Sequence, residues 1–275
     1  MIDALDHIAI AVADLDVAAT AYEALLGRAP DWREEAAGAR HAWFQLGNMA
    51  LDLVQPDGPG ESGDRVRARL ASAGEGLWGL AFATADFEET RRTLERRGAP
   101  SSEPMNLLST DSWRLSFLDP TSSHGIAIAL AERGAEPKRQ ADADKGAIHA
   151  LDHAVVNTAN ADRAAALYGA RLGLDFRLDR TNPQWNSRLL FFRCGDAVIE
   201  VAADLREPLS EAPDRLSGLA WRVADADAAQ ARLAAAGFDV SPVRVGRKPG
   251  TRVCTVRSGV PGAPTLIVGS DSSAS

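Results

Sequence analysis

Short apolar runs of strand type alternate along this chain with longer stretches of helical periodicity, and the pair occurs four times. The runs are Leu5-Asp6-His7-Ile8-Ala9-Ile10, Leu80-Ala81-Phe82-Ala83, Leu151-Asp152-His153-Ala154-Val155-Val156 and Leu219-Ala220-Trp221-Arg222-Val223. Ala-Asp or Ala-Asn follows each. Asp14, Asp86, Asn160 and Asp225 suit a helix N-cap, because a short side-chain oxygen accepts a free amide of the first turn. Ten to fourteen residues with apolar positions three and four apart come next, closed by Gly27, Gly98, Gly173 or Gly237. Strand-like runs complete each unit. They are Ala42-Trp43-Phe44-Gln45-Leu46 and Ala50-Leu51-Asp52-Leu53-Val54 in the first, and Leu189-Leu190-Phe191-Phe192 and Val198-Ile199-Glu200-Val201 in the third. Each repeat reads βαβββ.

The repeat keeps its register over long distances. His7 and His153, like Tyr22 and Tyr168, stand 146 positions apart, and the second and fourth units are offset by 139. Modules are expected at 4–55 and 76–132 in an N-terminal domain, 1–133, and at 150–203 and 216–270 in a C-terminal domain, 149–271. Residues 134–148, charged and poor in bulky apolar side chains, read as the linker.

A chain of 275 residues is long enough for two such cores. A formal charge of −8 argues against nucleic acid as partner, since phosphate binding needs a positive field. No apolar run approaches the roughly 18 residues of a membrane span, and no leader is evident. Cys194 and Cys254 are isolated and read as reduced thiols packed in strands, so a cytoplasmic location is expected.

In the first and third units a His lies in the first strand and an acid closes the last: His7 with Asp52, and His153 with Glu200. The runs from Leu5 to Val12 and from Leu151 to Val156 resemble the vicinal oxygen chelate superfamily. That family includes glyoxalases, extradiol dioxygenases, methylmalonyl-CoA epimerases and bleomycin- or fosfomycin-resistance proteins. Asp119-Pro120, followed by the run from His124 to Leu130, resembles the closing strand of family members, especially the epimerases. The resemblance covers about nine tenths of the chain. It implies an α+β fold of four βαβββ modules in two glyoxalase/bleomycin-resistance-like domains, each a cupped mixed sheet. It also implies a divalent metal held by a His from a first strand and an acid from a last one. Imidazole and carboxylate ligands with open positions suit Fe, Mn, Ni, Co or Zn. Such a metal polarises an oxygen of its substrate, and a nearby carboxylate shuttles a proton.

The second and fourth units depart from this pattern. Leu77-Trp78-Gly79 and Leu216-Ser217-Gly218 stand where a His would open the unit. Ile128-Ala129-Leu130 and Thr265-Leu266-Ile267-Val268 stand where an acid would close it. A complete set requires units one and three to share a cup, within the chain or across a homodimer. His7, His153, Glu200 and Asp52 are then the expected metal ligands, with Glu200 and Asp52 also the catalytic carboxylates. His7, His153 and Glu200 alone resemble the iron triad of ring-cleaving hydroquinone dioxygenases.

His41 and Trp43, on one strand-like run, are expected substrate contacts. Five of the six tryptophans, 43, 78, 113, 185 and 221, suit either an aromatic ligand or an ordinary core. Arg40 and Arg188, in matching places, read as anion holders or as surface charge. His124 reads as a turn residue. Three functions follow: a divalent-metal lyase or isomerase of glyoxalase type acting on a small oxygenated molecule; an Fe(II) extradiol or hydroquinone ring-cleaving dioxygenase; or a metal-free drug- or metabolite-binding protein of resistance type. The enzyme readings require the four ligand residues to converge on one point.

Overall fold

Local signals place the helices where the pattern predicts them. In the computed structural model, which describes residues 1–107, 113–133 and 144–270, each of the four cap residues does its work. Asp14 accepts from the amides of Asp16 and Val17, Asp86 from Glu89, Asn160 from Arg163, and Asp225 from Asp227 and Ala228. The closing glycines at 27, 98, 173 and 237 have φ between 73° and 89°, a conformation that ends a helix without a Cβ penalty.

The first half runs β1 (Ile2–Ala11), α1 (Leu15–Leu26), β2 (Trp32–Ala36), β3 (Ala39–Gln45), β4 (Ala50–Pro56), α2 (Glu61–Ala73) and β5 (Gly76–Thr84). It continues through α3 (Phe87–Arg96), β6 (Met105–Asn106), β7 (Trp113–Phe117), α4 (Pro120–Ser123) and β8 (Ala127–Arg133). The second half begins with β9 (Ile148–Thr158) and α5 (Ala161–Ala165), which passes into a π-helix over Ala166–Arg171. Then come β10 (Asp175–Asn182), β11 (Ser187–Cys194), β12 (Ala197–Asp204), β13 (Arg215–Val223) and α6 (Ala226–Ala235). The last strands are β14 (Asp239–Val240), β15 (Arg244–Val245), β16 (Thr251–Ser258) and β17 (Thr265–Ser270).

The strands form two curled mixed sheets. The order is β2-β3-β4-β1-β5-β8-β7-β6 in the first and β10-β11-β12-β9-β13-β17-β16-β14 in the second, where β15 also pairs with β16. Hairpins β2–β3–β4 and β10–β11–β12 are antiparallel, whereas β5–β8, β12–β9 and β13–β17 are parallel. The α+β architecture of four modules in two cupped sheets is thus observed. Modules one and two share the first sheet, and modules three and four the second.

By density of contacts the chain divides into two compact units, and the boundaries at 9/10, 77/78, 152/153 and 217/218 fall within β1, β5, β9 and β13. One comprises residues 1–9, 78–136 and 153–217, and buries Phe82, Leu94, Leu130, Tyr168, Phe192 and Ile199. The other comprises 10–77, 137–152 and 218–275, and buries Tyr22, Trp43, Phe44, Leu51, Trp221 and Ile267. Residues 134–143 of the expected linker and the last five residues lie outside the described residues. No helix among the described residues is long and apolar enough to cross a membrane.

Helix α2 carries no apolar stripe. It buries only Ser62, Gly63 and Val66. A hydrophobic-periodicity search therefore passes over it, and the sequence there reads as a boundary between modules.

Candidate functional site

Strand alternation sorts the side chains of module three onto two faces. In the parallel β9–β12 pair, Val198 lies beside His153 and Glu200 beside Val155, while across β11–β12 Phe191 lies opposite Glu200. Ala154, Val156, Leu190, Phe192, Ile199 and Val201 are buried on one face, where Tyr168 of the π-helix meets Phe192 at a ring distance of 5.8 Å. His153, Val155, Leu189, Phe191, Val198 and Glu200 point to the other face and are partly exposed. On that open face His153 Nε2 stands 3.5 Å from Glu200 Oε2, with the two side chains 20% and 19% exposed. The separation is longer than an ordinary hydrogen bond.

Module one uses the corresponding face differently. Trp43 lies opposite Asp52 on β4 and opposite Trp32 on β2, while His41 lies opposite Glu34 and Val54. His41 and Asp52 are thus diagonal neighbours on one face, and His41 Nδ1 is 3.0 Å from both carboxylate oxygens. The imidazole stacks on Trp43 (centroids 5.8 Å, planes 13° apart), and Trp43 stacks on Trp32 (5.5 Å, 10°). His41 and Asp52 are both buried, and His41 Nε2 meets no hydrogen-bond partner. Burial pushes the imidazole pKa down. The charge and hydrogen bond of Asp52, with the charge of Glu34, outweigh that effect and hold His41 above its ordinary value.

His7 belongs to a third cluster. Its Nδ1 lies 2.5 Å from Asp6 Oδ1, and its ring meets Trp113 edge-on at 5.5 Å. Arg133 closes the cluster: its Nε is 2.7 Å from Asp6 Oδ2, and its guanidinium sits 3.9 Å from the centroid of Trp113. Burial alone would raise the Asp6 carboxyl. The hydrogen bond and charge of His7, then Arg133, outweigh it and leave Asp6 below the usual carboxylate range.

The parallel registers also identify what replaces the missing ligands. His153 pairs with Val198, and the acid of that module stands two residues further along. In β5–β8, Gly79 pairs with Ala127, which puts Ala129 at the acid position. In β13–β17, Leu219 pairs with Thr265, so Gly218 and Leu266 fill the two places. A Cβ at Gly79 would lie 2.8 Å from the Ala127 carbonyl oxygen, so no side chain fits there without moving backbone.

Each of the four residues expected to hold a metal has a near partner of its own. His153 stands with Glu200, Asp52 with His41, and His7 with Asp6 and Arg133. Among the described residues no group of three or more His, Cys, Asp or Glu is placed to hold a metal ion. Two protein donors fall short of the three or four that resident divalent sites use, and the donor set does not fit such an ion.

Sequence reasoning named His41 and Asp52 but not their partnership, and it did not single out Asp6, Trp32 or Arg133. An acid beside the repeated His, at Asp6 and again at Asp152, was the signal available. Arg40 and Arg188 hold carboxylates rather than lying bare: Asp16 and Glu35 for the first, Asp162 and Asp179 for the second. His124 occupies a left-handed turn after α4, and its carbonyl accepts the amide of Asp214.

A family model described as Glyoxalase/Bleomycin resistance protein/Dioxygenase superfamily matches residues 6–117 and again 152–255. Among curated proteins, the chain is similar to the uncharacterized protein YqjC of Bacillus subtilis (strain 168). The two are 29% identical over 133 residues, covering 46% of this chain and 91% of that protein. Among solved structures, it is similar to a variant of 4-hydroxymandelate synthase from Streptomyces coelicolor. That match has a TM-score of 0.73 and 15% identity, covers 98% of this chain and 94% of the other, and is a likeness of fold. A variant of Streptomyces coelicolor methylmalonyl-CoA epimerase matches with a TM-score of 0.44 and 28% identity, over 50% of this chain and 99% of that one.

Proposed function

The chain belongs to the glyoxalase/bleomycin resistance protein/dioxygenase superfamily, and on that premise we propose that it binds a small, largely apolar organic molecule without a resident metal ion. The site is the open face of β9, β11 and β12. The observation that carries this reading is the His153–Glu200 contact at 3.5 Å, set among the partly exposed Val155, Leu189, Phe191 and Val198. An apolar surface with one polar pair at its centre is the usual composition of a small-molecule site: the apolar groups supply binding energy and the polar pair fixes orientation. The His153–Glu200 pair also supplies a proton donor and acceptor to whatever lies against it. Its two free, buried cysteines suit work in the reducing cytoplasm.

A metal-dependent lyase, isomerase or dioxygenase would rest on the same His153–Glu200 pair and would need further donors. Gly79, Ala129, Gly218 and Leu266 occupy the places from which modules two and four would offer them.

Metal analysis of protein purified without chelator separates these readings, beside a His153→Ala/Glu200→Gln double variant. The binding reading expects metal well below one equivalent in both proteins. It also expects small aromatic compounds that raise the melting temperature of the wild type and not of the variant. One equivalent of iron, manganese, nickel, cobalt or zinc in the wild type, absent from the variant, would establish the metal-dependent alternative.

A further inference from the structure

Where β11 turns into β12, the protein holds a cavity of about 290 Å³ that the open-face reading does not use. Its walls come from the start of β1, the loop between the π-helix and β10, and the β11–β12 turn, all within one compact unit. Ile2 and Leu174 supply apolar surface, and three charged residues, Asp3, Asp175 and Arg193, stand around it. Each charged group is anchored through one atom. Asp3 Oδ2 accepts the amide of Ala85 at 2.7 Å, Asp175 Oδ2 pairs with Arg177 at 2.8 Å, and Arg193 Nε donates to the carbonyl of Gly195 at 3.0 Å. The other oxygen of each acid and the two terminal nitrogens of Arg193 meet no hydrogen-bond or ion-pair partner among the described residues. Cys194 also lines the cavity. Burial, with the charge of Asp3 adding to it, pushes that thiol up to about 12, so it stays protonated and offers no nucleophile.

The corresponding place in the other half of the repeat is filled from within. Gly173 corresponds to Gly27, Asp3 to His149 and Asp175 to Ala29, while Arg193, two residues before Gly195, corresponds to Gln45, two before Gly47. There the guanidinium of Arg232 lies against Gly27, its Cζ 3.2 Å from where a Cβ would stand, and donates to the carbonyls of Ala24, Leu25 and Gly146. Gln45 turns its amide onto the carbonyls of Leu46 and Met49. In the half that holds the cavity, the counterpart of Arg232 is Thr93, a short side chain that bonds Glu89. Arg97, one turn further on, donates to the carbonyl of Arg171. The two halves of the repeat therefore differ most pointedly here: an arginine of the chain fills one place, and three charged groups surround a space at the other.

We infer that this cavity is a second small-molecule site, which takes a small zwitterion with an apolar side chain, such as an aliphatic α-amino acid. The carboxylate accepts from the terminal nitrogens of Arg193, the ammonium donates to Asp3 and Asp175, and the side chain rests on Ile2 and Leu174. Charge sets the class. A guanidinium by itself suits any anion, but the two carboxylates beside it repel an anion that carries no positive group, and a simple amine meets the charge of Arg193. Size sets the limit, since the volume lies at the lower end of the range for small-molecule sites. The site shares no residue with the open face of β9, β11 and β12 and does not rest on that reading.

The probe is L-leucine, titrated calorimetrically into the wild-type chain. Beside it stand 4-methylpentanoate, which lacks the ammonium, and 3-methylbutylamine, which lacks the carboxylate. The expected result is saturable binding of L-leucine and none of either fragment. Arg193→Gln and the double variant Asp3→Asn/Asp175→Asn should each weaken binding about tenfold or more, the loss of a charge-assisted hydrogen bond, whereas Glu200→Gln should leave it unchanged. Backbone amide resonances of the wild type provide a second reading that needs no variant: those of Gly173 and Gly195 move on addition of L-leucine, and those of Gly27 and Gly47 do not. No binding of L-leucine, equal binding of either fragment, wild-type affinity in Arg193→Gln, or loss of binding in Glu200→Gln would each overturn the assignment.

Discussion

Both carboxylate oxygens of Asp52 lie 3.0 Å from Nδ1 of His41. An acid whose sequence position suggested a metal ligand is thus committed to orienting an imidazole. The equivalent acid of the other half, Glu200, remains at an open face beside His153. One repeat has given its two halves different chemistry through a single neighbour: His41 in the first, Leu189 at the corresponding position of the second.

Asp52→Asn should lower stability by about 1.5–3 kcal/mol, the range for losing a hydrogen bond to a charged partner. The pH dependence should change with it. In the wild type the folded-state pKa of His41 is above its unfolded value. The stability it contributes is fully present below about pH 6.5 and is lost as pH rises through the folded-state value. In Asp52→Asn burial is opposed only by the charge of Glu34, and this loss should shrink or disappear. Urea unfolding between about pH 5 and about pH 9 tests both points.

Arg133→Met should destabilise the fold by about 3–5 kcal/mol, because Asp6 stays buried without its cation. Arg133→Lys should recover only part of this, since an ammonium cannot lie flat on Trp113 and bridge Asp6 at the same time. Asp6 has a depressed folded-state pKa, so its contribution is present above about pH 3.9 and is lost as pH falls through the lower folded-state value. Arg133→Met should shift acid unfolding to higher pH, which circular dichroism would follow.

Gly79→His should fail to restore a metal site. Its Cβ meets the Ala127 carbonyl at 2.8 Å, so even Gly79→Ala should cost about 1–3 kcal/mol. A Gly79→His protein of wild-type stability that binds zinc in a calorimetric titration would sink this steric account.

His153→Ala should leave stability within about 1 kcal/mol of the wild type, because a partly exposed polar contact at 3.5 Å contributes little. It should nonetheless weaken small-molecule binding at the open face. Thermal unfolding with and without an aromatic ligand separates the two effects.

The elements were legible because their signals are local. Asp14, Asp86, Asn160 and Asp225 cap helices through amides two or three residues away, and a closing glycine needs only its own φ. Helix α2 escaped because it is held by a close backbone approach at Gly63 rather than by an apolar stripe. His7, Asp52, His153 and Glu200, the expected metal set, lie in strands β1, β4, β9 and β12. Which side chain meets which was not legible at that level: Asp52 meets His41, and His7 meets Asp6.

By itself the sequence determined the four-fold βαβββ repeat, the caps and ends of its helices, and membership of the family, all carried by spacing within a few residues or by repetition of the same spacing. Only the tertiary structure decided that Asp52 turns to His41, that Arg133 reaches Asp6 from 127 positions away, and that Gly79 has no room for a ligand. Side-chain partnership across a sheet depends on strand order and register. A displacement of one residue would present the opposite face, and nothing in the local pattern of either strand records its neighbour.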